Sequence, residues 1–152
     1  MAHEVFSQPW LDQWAALINS NESLAEQAPE GVWRMYVRSE GDGVSPYVPA
    51  GETMHLMIHL SDGRCTRLER TDAPPGPRDL DFRFSGPATV FEEVAANLRD
   101  PVQAGLEGDI KIAGDMAFLL RYAELVKQLV DLYTGSLETD WPRGRPPYGA
   151  AQ

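Results

Sequence analysis

The sequence has a single cysteine, no apolar run approaching the roughly 20 residues of a membrane span, and only 13 Lys+Arg against 23 Asp+Glu, a formal charge of -10 over 152 residues. Cys65, being alone, cannot form an internal disulfide, which favours a reducing, cytoplasmic setting. The shortage of positive charge leaves no basic stripe for phosphates, so nucleic acid is not an expected partner, and it opposes stable association with an anionic membrane. Met1-Ala2-His3-Glu4 lacks the basic-then-apolar order of a signal peptide. There is no Gly-x-Ser-x-Gly elbow and no Walker loop, while Gly41-Asp42-Gly43 lacks the third glycine of a dinucleotide fingerprint.

What is present is a 43% hydrophobic chain, long enough to bury roughly two-thirds of its surface in one core. Phe6, Trp10, Leu11, Trp14, Leu17 and Ile18 recur at three-and-four spacing, predicting a helix capped near Ser7 with Pro9 in its first turn. From Val32 to Arg38 the period falls to two, with Trp33, Met35 and Val37 on one side and Arg34, Tyr36 and Arg38 on a wet side. Residues Ser39 to Thr53, rich in Gly and Pro, read as a long loop. Met54 to Leu60 alternates again, and Asp62-Gly63 signals a hairpin into Arg64 to Arg70, a polar strand suited to a sheet edge.

After a Pro/Gly loop over Thr71 to Arg78, a fourth strand places Leu80, Phe82 and Phe84 opposite Asp79, Asp81 and Arg83. Thr89-Val90-Phe91-Glu92 has the form of a capping box opening a helix through about Leu98, and Asp100-Pro101 starts a short one through Leu106. A strand over Asp109 to Ala113 leads to the longest helix, from Asp115 to Gly135, about 30 Å if continuous. The pattern predicts an α/β two-layer sandwich: about five mostly antiparallel strands with helices over one face. Residues 1–136 form the domain, and the Pro/Gly-rich residues 137–152 are a tail that depends on something to dock it.

Candidate chemistry is sparse. His55 and His59 on one strand stand about 13 Å apart, too far for one zinc, and read as solvent-facing histidines. Asp79 and Asp81 are about 7 Å apart on a flat, exposed sheet face with Arg83 adjacent, and read as part of a solvated face. Cys65 reads as a small, partly buried edge residue, and Glu92, Glu93, Glu107 and Asp109 as helix starts and turns without implied partners. No metal or other cofactor is expected. The inner face, by contrast, is rich in Trp10, Trp14, Trp33, Met35, Met54, Phe82, Phe84, Phe91 and Phe118, which can pack solid or line an apolar cavity.

The run Asp100 to Met116, and within it Gly108-Asp109-Ile110-Lys111-Ile112-Ala113-Gly114-Asp115, resembles the signature of the sterol carrier protein type-two, or sterol-transfer, family. A similar order of elements extends from about Phe6 to Tyr133. The resemblance implies an apolar tunnel between sheet and helices that binds a lipid or fatty acyl ligand without catalysis. Its expected lining is Trp33, Phe82, Phe84, Phe91, Val102, Leu106, Met116, Leu119 and Leu120. Two other readings stay open. One is a small enzyme acting on an apolar substrate through Tyr122, Tyr133, Asp115 or Cys65; the other is an interaction module using the wet sheet face or the Trp141 tail. Oligomeric state is not legible.

Overall fold

The computed structural model describes residues 3–28, 30–71, 81–114, 116–135, 138–146 and 148, with the side chains of Val102, Met116, Phe118, Leu119, Val126 and residues 133–135 outside the description. After a two-residue strand β1 (His3–Glu4) come α1 (Gln8–Asn19), α2 (Glu22–Gln27), β2 (Val32–Glu40), β3 (Thr53–Ser61), β4 (Arg64–Thr71) and β5 (Phe82–Pro87). There follow α3 (Ala88–Ala95), α4 (Pro101–Leu106), β6 (Lys111–Gly114), α5 (Met116–Arg121), α6 (Ala123–Gly135) and β7 (Thr139–Asp140). The main sheet has the order β4-β3-β2-β5-β6. All of its pairs are antiparallel except β2 with β5, which run parallel. The two-layer α/β architecture expected from the pattern is the one observed.

Local grammar explains much of this. Ser7 caps α1 by accepting from the Trp10 amide, with Pro9 in the first turn, and the helix buries Trp10, Leu11, Trp14 and Ile18. Asp62 and Gly63 both take positive φ, at 50° and 83°, which joins β3 to β4 by a tight hairpin. As predicted, β4 is an edge strand, and α1 blunts it at both ends. Gln8 donates to the Leu68 carbonyl (2.9 Å) and accepts from the Arg70 amide (3.2 Å), while Asn19 donates to the Cys65 carbonyl (2.8 Å) and accepts from its amide (2.7 Å). Two amide side chains thus occupy an edge that would otherwise be open to pairing.

Several expectations are corrected. Thr89 and Glu92 do not form a capping box: α3 begins at Ala88 behind Pro87, whose side chain caps nothing. The Thr89 amide instead donates to Asp42 Oδ2 (3.1 Å), reached from the β2–β3 loop, and Glu92 turns inward. The long helix is interrupted at Tyr122, leaving α5 and α6 as separate pieces. The outer sheet face is not uniformly wet, because Tyr36 (1% exposed) and Met57 (5%) are opposite one another in the β2–β3 register and buried there. Helix α2 and the parallel β1–β7 pair, His3 with Thr139 and Glu4 with Asp140, have no counterpart in the sequence expectations. Asp79 and the loop over residues 72–80 lie outside the described residues.

The tail docks on the chain itself. Trp141 meets the Tyr47 ring edge-on at 6.0 Å, Tyr47 Oη donates to the Gly144 carbonyl (2.8 Å), and Arg145 donates to the Ala96 carbonyl (2.8 Å). Tyr148 Oη donates to Glu92 Oε1 (2.7 Å), fastening the last described residue to α3.

Candidate functional site

A cavity of about 210 Å3 lies between the inner sheet face and the helices. Its floor is Met35 and Val37 of β2, Ile58 of β3, Phe84 of β5 and Ile112 of β6, consecutive members of the inward-facing set that strand alternation creates. Trp14 and Ile18, one helical turn apart on α1, close one side. Phe91 and Val94 of α3, Gly105 and Leu106 of α4, and Leu120, Ala123, Leu129 and Val130 of α5 and α6 close the rest. The lining side chains described carry no ionisable or hydroxyl group. Trp14 brings the one polar hydrogen among them, and its indole N–H is committed to the Leu129 carbonyl at 2.9 Å, which also pins α1 to α6.

Leu106 (73% exposed) and Leu120 (66%) stand at the rim, so the cavity has an apolar mouth. Large exposed leucines beside a hollow are what a chain too long for the interior would lie against. The volume is below the 300–1,000 Å3 usual for an enclosed small-molecule site, which fits a partly open groove better than a sealed chamber.

Of the residues expected to line a ligand site, Phe84, Phe91, Leu106 and Leu120 do line this cavity. Trp33 and Phe82 stand beside it, stacked on each other with ring centroids 6.2 Å apart, and belong to the packed core. The side chains of Val102, Met116 and Leu119 are outside the description. Sequence reasoning left Trp14 open between solid core and cavity wall and missed Ile18 as a lining residue, although their i, i+4 spacing on the apolar face of α1 was a usable signal.

The polar candidates are placed elsewhere. Cys65 is buried on edge strand β4, where burial pushes its thiol up to about 11, so it remains protonated and a poor nucleophile at neutral pH. His55 lies on the outer face against Tyr36, rings stacked at 5.7 Å, with Tyr36 Oη in close contact with His55 Nδ1. Burial and then the nearby Arg38 hold the His55 pKa below its ordinary value. Tyr122 does not line the cavity, and Tyr133 and Asp115 are outside the description. Among the described residues, no group of three or more His, Cys, Asp or Glu is placed to hold a metal ion.

Two polar clusters flank the cavity wall. Glu92, with none of its surface exposed, accepts from Ser45 Oγ (2.6 Å) and Tyr148 Oη (2.7 Å) on the far side of α3 from the cavity-lining Phe91 and Val94. Its pKa is raised, chiefly by burial. Burial also opposes ionisation of Asp42, but hydrogen bonds from Thr89, Ser45 and Val44 outweigh it and hold that carboxyl down at about 2. At the other end of α3, Arg99 is gripped by Glu93 (3.5 Å), Glu107 (3.2 Å) and Asp109. Glu92, Glu93, Glu107 and Asp109 therefore all have partners, contrary to expectation.

The fold is similar to that of solved sterol carrier proteins. A crystal structure of sterol carrier protein 2 superposes with a TM-score of 0.73 at 19% identity, covering 87% of this chain and 98% of that one. A protein from Thermus thermophilus, described as possibly a sterol carrier protein, gives 0.69 at 20% identity over 91% and 94%. A palmitated SCP2L2 from Aedes aegypti gives 0.54 at 10% identity over 82% and 95%. Among curated proteins no sequence matches. The SCP-2 sterol transfer family matches residues 20–127, which span α2 through the start of α6 and so most of the cavity's walls, and the chain belongs to that family.

Proposed function

We propose that the protein is a noncatalytic carrier that binds, and passes on, a lipid or other apolar small molecule in the cavity between sheet and helices. Family membership supports lipid binding or transfer in general. The observation that carries the finer reading is the uniformly apolar lining with an apolar, exposed mouth at Leu106 and Leu120. Each methylene buried there is worth about 0.8 kcal/mol, so a chain is held without any specific polar contact. Such a site discriminates weakly between lipids.

Phe84, Phe91, Leu106 and Leu120 are the proposed contacts, together with Val102, Met116 and Leu119 on the same helices, while Trp33 and Phe82 support the floor. The absence of an acid, base or nucleophile from the described lining favours carriage over catalysis. We place the carrier in the cytoplasm. No described helix is long and apolar enough to cross a membrane.

Native mass spectrometry after incubation with mixed lipids, with displacement of a fluorescent fatty acid as the quantitative arm, tests this. A retained lipid and saturable displacement are expected. No bound lipid together with no displacement would overturn the proposal.

A further inference from the structure

The two edges of the main sheet are finished differently. At β4 the side chains of Gln8 and Asn19 occupy free backbone groups, whereas β6 forms the opposite edge. Among the described residues, nothing beyond β5 takes up the backbone N–H and C=O groups of Lys111–Gly114. Lys111, Ala113 and Gly114 are exposed. On an edge strand alternate residues turn both backbone groups away from the sheet, so β6 presents a short template for one more strand.

Strand alternation sets the side chains along this edge. Phe84 and Ile112 point inward to the cavity, so Arg83, Ser85, Lys111 and Ala113 point outward. Lys111 stands opposite Ser85 and is a diagonal neighbour of Arg83, about 7–8 Å away. One strand further in, Arg38 is also opposite Ser85. Burial raises the Tyr36 pKa while Arg38 and Arg83 oppose the rise, which places both guanidinium groups near its ring on the outer face. Arg38 is engaged by Glu40 at 3.0 Å, but Arg83 and Lys111 are exposed and make no ion pair among the described residues. In a chain of formal charge -10, this corner is a local concentration of unmatched positive charge.

We propose that β6 is a docking edge for an acidic, extended segment of a partner protein, which adds as a sixth strand with acidic side chains over Lys111 and Arg83 and an apolar one beside Ile112. Main-chain pairing supplies affinity, and the alternation of the added strand supplies specificity. Charge selects the occupant. A second copy paired through its own β6 brings the same cations together, between two bodies of charge -10. An anionic membrane is repelled by that overall charge across its whole surface. A short acidic segment feels mainly the charges within a Debye length, roughly 10 Å, where the unmatched ones are positive.

The probe is a capped ten-residue peptide of alternating glutamate and valine, titrated into isotope-labelled protein while the amide resonances are followed. Half-saturation below about 1 mM is expected, with shifts centred on Lys111–Gly114 and the facing Phe82–Ser85. N-methylation of the four central peptide amides keeps the charge but prevents pairing, and is expected to weaken binding about tenfold or more. Lys111→Glu and Arg83→Glu are each expected to weaken it about fivefold, with circular dichroism confirming the fold. The proposal is overturned if β6 amides do not move up to about 5 mM peptide, or if the N-methylated peptide binds equally well. It is overturned equally if β6 shifts follow protein concentration alone, which marks a second copy as the occupant, or if phosphatidylglycerol vesicles bind through Lys111 where the peptide does not.

Discussion

The carboxylate of Glu92 joins three segments distant in sequence: α3 that carries it, the β2–β3 loop through Ser45, and the tail through Tyr148. Glu92→Ala removes two charge-assisted hydrogen bonds and leaves both hydroxyls without their acceptor, a loss of about 2–3 kcal/mol in urea denaturation. The pH dependence follows from burial raising its pKa above the ordinary 4.5. A raised folded-state value means that the folded protein holds this proton more tightly than the unfolded chain. The associated stability is fully present below pH 4.5 and is lost as pH rises through the folded value. Glu92→Gln, always neutral, therefore gains stability relative to the parent as pH rises from 4 to 8, and parallel pH profiles for the two proteins would contradict this. Cys65 gives a second check at this scale: its buried thiol, held at about 11, should react with a thiol reagent at neutral pH only as fast as the chain unfolds.

Elements were legible where the signal is local. Ser7 with Pro9, Asp62-Gly63 and Asp100-Pro101 each set a boundary by backbone chemistry within a few residues, and the structure places α1, the β3–β4 hairpin and α4 there. The apparent capping box at Thr89 failed because partners 47 residues before and 56 after Glu92 draw its side chain inward, leaving the amide end of α3 to Asp42. Likewise, the apolar stripe from α5 into α6 continues through the break at Tyr122, so periodicity alone could not reveal it. Gly114 is legible in its glycine but not in its reason. Its φ is 137°, and a Cβ there would stand 2.5 Å from Phe82 Cδ1 and 2.6 Å from the Asp81 carbonyl oxygen. Gly114→Ala should cost about 2–4 kcal/mol in chemical denaturation, from backbone strain combined with collision against β5. A change below about 0.5 kcal/mol would mean that the β5–β6 contact yields easily.

At the scale of the whole molecule, the sheet and helices enclose an apolar space whose floor follows from strand alternation and whose walls come from helices brought together only by folding. That is why Phe84 and Phe91 could be anticipated from strand alternation and the family resemblance, while Ala123 and Val130 could not. Ala123 faces the cavity from the first turn of α6, so Ala123→Trp should fill it, lower fatty-acid binding by about tenfold or more, and leave the fold intact by circular dichroism. The most direct measurement is the set of intermolecular nuclear Overhauser effects between a protonated alkyl ligand and methyl-labelled protein. Carriage in the cavity predicts contacts from the chain to the Ile58, Val94 and Ile112 methyls and none to Met57 on the opposite sheet face. Chain contacts confined to Met57 and its neighbours, with the cavity methyls silent, would contradict it.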